Sequence, residues 1–396
     1  MSKEVKFQYR TAESVSPGHP DKLCDQISDA ILDAYLTEDP DARVAVDVAG
    51  GHGMVFVTGE VTSRARHVDV KGIVHRLAGK NLEVTQHLAK QSSEIAQGVD
   101  TGGAGDQGIM IGYATAETPE MLPLEVVLSR RLNQFIYKKF PFDGKTQVTL
   151  RDGQIDSIVA SFQNAPQAEL KQLVKEFFES CHPEPTTNLV IPSAAEGSSN
   201  NCHPELVSGS SELKENDRTR KIPKPQHQTR RCWARQVRND KNWDFSKYFN
   251  PKATKILANP AGDWQQGGFD SDAGLTGRKL AVDNYGPRIA VGGGCFSGKD
   301  PSKVDRSAAY MARKIAVDYL RERQAKEVFV RLAYAIGVAE PLEKSVIVDG
   351  QHEIIADRYN LTPHGIIKTL NLKRPIYEPT ARYGHFGEGF GWDSTP

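Results

Sequence analysis

Apolar positions recur at helical spacing from Asp21 to Tyr35, where Leu23, Ile27, Ile31 and Ala34 share one face. Pro20 stands where a first helical turn tolerates proline. The period then changes. The runs "ARVAVDVAG" and "GMVFVTGEVTS" are short, β-branched and bounded by glycine, which predicts the two strands of a hairpin. Residues 67–78 and 82–97 read as helices, the second with a more polar pattern. "GIMIGYAT" predicts a strand, and "TQVTLRDGQIDSIVASFQ" a hairpin turning at Asp152-Gly153. A helix follows over about 167–179, with Leu170, Leu173, Val174 and Phe177 on one face. Near the C-terminal end, "KLAVDNY", "RIAVGGG", "EVFVRLAYAI" and "KSVIVD" read as strands. Helices are expected from Pro301 to about Arg323 and near 362–371. Strands mixed with helices that pack on one face predict an α+β fold.

Between these patterned regions the character changes. From Glu179 to Cys232 there is no Phe, Trp or Tyr, and Ser, Asn, Pro and charged residues dominate. Such a stretch buries too little apolar surface to offset its ordering entropy, so 181–235 reads as an inserted, largely disordered loop. Its Cys181-His182, Cys202-His203, His227 and Cys232 lack the close cysteine pair of structural zinc sites. Its basic run "RTRKIPKPQHQTRRCWARQVR" reads as a solvated loop rather than a nucleic-acid surface.

Composition narrows the class. The 396 residues carry 50 Lys and Arg against 50 Asp and Glu, so the whole-chain charge gives no pull toward nucleic acid or an anionic membrane. Five cysteines without regular spacing argue against a disulfide framework. "MSKEVKFQYR" has no signal-peptide core, and no apolar run is long enough to span a bilayer. A cytoplasmic enzyme is expected.

The chemistry concentrates in four stretches. "GGGCFSGKD" at 292–300 approaches a phosphate-binding P-loop through Gly293, Gly298 and Lys299, but Asp300 stands where a hydroxyl residue should hold Mg²⁺. Lys299, Lys303 and Asp305 follow across this loop and the next helix start, two cations suited to a polyanion and a carboxylate suited to Mg²⁺. "ESVSPGHPDKLCDQISDA" puts His19 and Asp21 at a helix N-terminus, where anions and metal–phosphate complexes are favoured. "AQGVDTGGAGDQGIMIGY" is glycine-rich enough for a lid. "GGFDSDAGLTGRKLAVDNYG" places Asp272, Arg278 and Lys279 among glycines.

Together and in this order these stretches, with "KTQVTL", "YAIGVAEP" and "RYGHFG", resemble the S-adenosylmethionine synthetase (methionine adenosyltransferase) family over residues 13 to 386, the insert excepted. The resemblance implies three similar βαββαβ-type units around a pseudo-threefold axis. These would be an N-terminal unit at 1–97, a lid and central unit at 98–258, and a C-terminal unit at 259–396. It implies synthesis of S-adenosylmethionine from ATP and L-methionine, followed by cleavage of the triphosphate to phosphate and pyrophosphate. It also implies a homodimer or homotetramer with the active site between subunits, and no nucleic-acid or membrane partner. By that resemblance His19, Lys145, Arg278, Lys279, Lys299 and Lys303 surround the triphosphate or its leaving oxygen. Asp143, Asp263, Asp272, Cys295 and an adenine-stacking Trp264 complete the ATP site. Glu60, Gln97, Asp106, Asp272 and Lys303 hold methionine. Asp21 and Asp305 hold Mg²⁺, two ions per site, and Asp47 holds K⁺.

Some features depart from the family pattern. Asp47 stands where many members have Glu, and the lid lacks several residues between Asp100 and Gly105. The segment before the lid lacks a stretch that contains a strand in many bacterial members. A shorter lid implies faster product release or leakier closure. Two other readings are a P-loop NTPase and a catalytically impaired relative that binds nucleotide or a partner subunit. The "GKD" ending and Pro301 speak against the first, and retention of the cations and carboxylates above against the second.

Overall fold

The computed structural model describes residues 8–91, 102–179 and 243–393. One order of elements recurs along the chain. The first third runs β1 (Tyr9–Val15), α1 (Pro20–Glu38), β2 (Arg43–Gly51), β3 (Met54–Thr62), α2 (Val70–Ala78) and β4 (Glu83–Ala89). The second repeats it as β5 (Gly108–Thr115), α3 (Leu124–Tyr137), β6 (Gly144–Arg151), β7 (Gln154–Phe162), α4 (Gln167–Glu179) and β8 (Lys255–Ala258). The last has β9 (Gly274–Leu275), a single turn α5 (Leu280–Asp283), α6 (Val304–Arg323), β10 (Glu327–Tyr334), β11 (Glu343–Val348), β12 (Gln351–Ile354) and α7 (Pro363–Leu370).

The described strands form three four-stranded sheets, β1-β6-β7-β8, β9-β2-β3-β4 and β5-β10-β11-β12. Each third therefore gives its opening strand to the sheet of another. β1 pairs antiparallel with β6, β5 with β10, and β9 with β2, which closes the cycle. The fourth strand is parallel in the first two sheets, while β12 folds back antiparallel in the third. This cyclic exchange is the α+β architecture of three βαββαβ-type units. A long helix backs each sheet: Val44, Val46 and Val48 of β2 are buried, as are Ile27 and Ile31 of α1, while the alternate residues of β2 face outward.

Local chemistry explains the elements that form as expected. Asp152 and Gly153 both have positive φ (51° and 82°), the twist that a two-residue hairpin requires. The 167–179 helix falls where its apolar face predicts.

Other segments differ from expectation. Residues 83–89 of the predicted 82–97 helix form β4, in the segment where a strand was expected to be missing. β4 is an edge strand whose polar side chains face solvent on both sides, so no burial pattern marks it. "KLAVDNY" holds the one-turn α5 instead of a strand, because Asp283 N donates to Lys279 O at 2.8 Å and the Asp283 carboxylate is captured by Lys22. "RIAVGGG" is not a strand either, and meets β5 through one bond, Gly293 N to Ile109 O at 3.0 Å. β1 and α3 were not expected: α3 carries Leu124, Val127, Leu128, Leu132, Phe135 and Ile136 at helical spacing, a stripe that was there to be read, and its polar Arg130 and Asn133 are buried as well. The expected 181–235 insert, Gln97 and the first part of the expected lid lie outside the described residues. Among the described residues no helix is long and apolar enough to cross a membrane.

Candidate active site

Helix α1 carries a second stripe beside its apolar one. Asp21, Asp25, Asp29 and Asp33 recur every four residues, so they line one face. Each accepts backbone N–H groups from a distant loop. Asp21 Oδ1 takes Leu275 N at 3.1 Å, Asp25 Oδ1 takes Gly277 N at 2.9 Å, and Asp29 Oδ1 takes Gly298 N at 2.8 Å. Asp33 takes Tyr377 N at 3.0 Å and Glu378 N at 2.9 Å. The helix is a ladder whose upper rungs hold the loops that carry the predicted cations.

At its N-terminus His19 caps α1, its ring Nδ1 accepting from Asp21 N at 3.2 Å. Burial first, then Lys279 and Lys145, push its pKa down to about 3. The imidazole is therefore neutral near pH 7, and with Nδ1 accepting, Nε2 carries the proton and is a donor. Asp21 is buried, yet its pKa is lowered: burial works against ionisation, while the Lys279 ammonium at 2.5 Å and Leu275 N favour it. Arg278 Nε lies 3.7 Å from the same carboxylate. Lys145 enters through β6, in register with Val15 at the end of β1. Asp143 Oδ2 accepts from Gly268 N at 3.2 Å, and burial raises its pKa. Asp272 is exposed and close enough to act electrostatically on both His19 and Asp143.

The "GGGCFSGKD" loop follows different rules from a P-loop. Gly298 N, which a P-loop would aim at phosphate, donates inward to Asp29. Asp300 is buried and joins the loop to β2: its N–H donates to Val44 O at 2.9 Å and its Oδ2 accepts Val44 N at 2.7 Å. The same oxygen takes the Lys303 ammonium at 2.5 Å. Lys299 extends to Asp305 Oδ2 at 2.5 Å, and the buried pair Arg306–Asp29 (2.6 and 2.8 Å) lies beneath, with Arg306 also donating to Lys299 O at 3.1 Å. Burial raises the Asp305 pKa, with Lys299 opposing. Cys295 packs where a Cβ on Gly277 would fall, which brings the two lysine loops together. Burial pushes its thiol pKa up, so it stays protonated.

The remaining predicted residues are more dispersed. Lys299 bridges Ala45, and Ala45 pairs with Glu60, so Glu60 and Lys299 share the outward face of their sheet with Asp47. The pKa of Asp47 is raised by partial burial, with Lys299 acting against it. Asp106 is exposed and near enough to influence Asp305. Ala104, in the glycine-rich segment, is pinned by Gly337 N to its O at 2.8 Å and by its own N to Val338 O at 3.0 Å. Asp263 accepts Gln167 N at the start of α4, and Trp264 Nε1 donates to Asn259 Oδ1 at 3.3 Å. Sequence reasoning missed Lys22, Asp25, Asp29, Asp283 and Arg306, although the four-residue Asp spacing was there to be read.

These loops gather lysines, an arginine and carboxylates on a threefold-repeated α+β scaffold. The chain belongs to the S-adenosylmethionine synthetase family. It matches the family's N-terminal domain over residues 7–97, its central domain over 101–193 and its C-terminal domain over 266–394. It is 37% identical over 433 aligned positions to an S-adenosylmethionine synthase of Treponema denticola, covering 98% of this chain and 96% of that protein.

Proposed function

We propose that this chain makes S-adenosylmethionine from ATP and L-methionine, the methionine sulfur attacking C5′ of the ribose as triphosphate leaves. The triphosphate is then hydrolysed to phosphate and pyrophosphate. The observation that carries the site reading is that three lysine–aspartate contacts, Lys279–Asp21, Lys299–Asp305 and Lys303–Asp300, lie at two loops anchored to one helix, α1, through Asp25 and Asp29. The leaving group gathers negative charge, and cations held in place beforehand stabilise it without reorganising. His19 donates through Nε2 to the leaving oxygen as a neutral group. Lys145, Arg278, Lys279, Lys299 and Lys303 face the phosphate chain. Glu60, Gln97, Asp106 and Asp272 hold the polar groups of methionine, which places the sulfur for attack and removes an entropic barrier. Asp143, Asp263, Cys295 and the flat ring of Trp264 line the nucleoside side.

Among the described residues no three His, Cys, Asp or Glu side chains converge as a metal cage. Asp21 and Asp305 instead offer single carboxylates beside lysines, a donor set that suits Mg²⁺, which takes one or two carboxylates along with phosphate and water. Mg²⁺ bound there supplies charge neutralisation to the phosphate chain. Asp47 is the K⁺ residue in this reading.

The outward face of the sheet bearing Lys299, Glu60 and Asp47 also exposes Met54, Phe56 and Leu275. That apolar patch beside the site supports a homodimer or homotetramer with the active site at the subunit interface. Phe56→Asp is expected to lower the sedimentation coefficient and activity together; unchanged assembly would count against this face.

The deciding assay incubates the chain with ATP, Mg²⁺ and K⁺, with and without methionine. S-adenosylmethionine with phosphate and pyrophosphate is the expected product. ADP formed without methionine would overturn the reading in favour of an NTPase, and retained ATP binding without product would point to an impaired relative.

A further inference from the structure

Lys22 follows Asp21 directly, yet it is fully buried. Its ammonium lies 2.6 Å from Asp283 Oδ1 and 3.0 Å from Asp25 Oδ2. Asp25, through its other oxygen, accepts Gly277 N, and Asp283 N closes back on Lys279 O. Both ends of segment 277–283 are thus tied to one cation, and Arg278 and Lys279 lie between those ends. Gly277 has φ +78° and lies so close to Cys295 that an added Cβ would fall 2.7 Å from its side chain, so the segment has little room to relax. A buried cation between two carboxylates is a weak source of stability compared with an apolar cluster of the same volume. Geometric definition of the segment is what this cluster adds.

We infer that Lys22 is a positioning residue for the triphosphate-binding pair Arg278 and Lys279, its buried ammonium clasping both ends of the segment that carries them. The inference rests on the assignment of Arg278 and Lys279 to the triphosphate. Lys22 itself touches no substrate. Displacing the segment by about 1 Å is enough to cost about 100-fold in turnover.

The test is a double-mutant cycle on the full chain, with kcat and KM measured for ATP and methionine. Lys22→Met is expected to lower kcat about 10- to 100-fold while KM for methionine changes less than about threefold. Combined with Lys279→Ala it should add little to the worse single variant, whereas combined with Lys299→Ala the losses should multiply. Multiplicative losses with Lys279→Ala would overturn the inference. Full activity of Lys279→Ala alone would instead overturn the triphosphate assignment, and this inference with it. Because Lys22→Met leaves two buried carboxylates without their cation, a second pair of variants decides the matter if it does not fold. Asp25→Leu removes the acceptor of Gly277 N and leaves Lys22 balanced by Asp283, so it should lose activity as Lys22→Met does. Asp25→Asn keeps an acceptor oxygen and should restore most of it. Equal activity of Asp25→Leu and Asp25→Asn would overturn the clasp.

Discussion

The two lysine loops, residues 277–279 and 298–300, repeat one design. Each begins with a glycine in the left-handed region, Gly277 at φ +78° and Gly298 at φ +80°. Each glycine N–H is received by a buried aspartate of α1 that is paired with a buried cation, Asp25 with Lys22 and Asp29 with Arg306. The lysine that follows meets a carboxylate at 2.5 Å, Lys279 at Asp21 and Lys299 at Asp305. The bracing differs. The 298–300 loop is also joined to β2, through Val46 N to Gly298 O at 3.1 Å and the two bonds between Asp300 and Val44. The 277–279 loop meets β2 just before it begins, through β9 and through Thr276, whose N–H donates to Val48 O at 3.0 Å and whose hydroxyl accepts Val48 N at 2.9 Å; its cations then depend on the Lys22 cluster. One loop is bonded to β2 through its own residues, and the other only through the residues that precede it.

Substituting the two glycines should separate these designs most. A Cβ at Gly298 would fall 2.0 Å from Val46 O, a backbone atom with no room to retreat. A Cβ at Gly277 would fall 2.7 Å from the Cys295 side chain, which can move. Gly298→Ala should therefore prevent folding or cost about 4 kcal/mol or more, and Gly277→Ala about 1–3 kcal/mol. Urea unfolding of both variants measures the difference, and Cys295→Ala should relieve part of the Gly277→Ala loss. Equal losses would show that the sheet does not brace the second loop.

The carboxylates under the two loops should differ next. Asp29 and Arg306 form a one-to-one buried pair, with both Asp29 oxygens engaged. Asp29→Asn leaves that guanidinium without its counter-charge and should cost about 3–5 kcal/mol. Asp25 shares Lys22 with Asp283, so Asp25→Asn leaves one cation facing one anion. Its loss in the same unfolding experiment should be under about 1 kcal/mol. Comparable losses would mean that Asp25 is as indispensable to its loop as Asp29.

This contrast also shows what the sequence exposes. The β2–β3 and β6–β7 hairpins were legible because alternation and turn residues agree within a few positions. α3 was missed although Leu124, Val127, Leu128, Leu132, Phe135 and Ile136 recur at helical spacing; what the sequence could not show is that its polar face, with Glu125, Ser129, Arg130 and Asn133, is buried too. β9, two residues long, is a strand only because β2 lies beside it. At the candidate site, the family motifs pointed to the lysines and to Asp21 and Asp305, which the fold pairs as Lys279–Asp21 and Lys299–Asp305. The supporting charges escaped because their partners are far along the chain, 261 residues from Lys22 to Asp283 and 277 from Asp29 to Arg306. The Asp ladder of α1 was visible as spacing, but an acidic stripe on a helix usually means solvent. Only the loops packed over it turn that stripe into a scaffold.

The smallest effect, and the one that separates the two pairs by sign, is in the pH dependence of stability. Burial first, and the nearby Asp283 carboxylate, push the Asp25 pKa up to about 7 against the pull of Lys22. Lys22 on α1 and Asp283 on α5 are the charges beside it, and the Cys295 thiol, held protonated, feels the same carboxylates. In the unfolded chain this carboxyl loses its proton near 3.8, so between there and about 7 the folded chain holds a proton that the unfolded chain has released. Asp25 therefore favours the fold at the acid end of that window and withdraws stability as pH rises through it. Asp25→Asn should flatten this slope, so that the variant gains on the original chain as pH is raised from 5 to 8. Asp29→Asn should be destabilised across the whole range. Unfolding midpoints measured at several pH values decide it: parallel curves for Asp25→Asn and the original chain would show that the Lys22 cluster carries its full charge at every pH, as the Arg306 pair does.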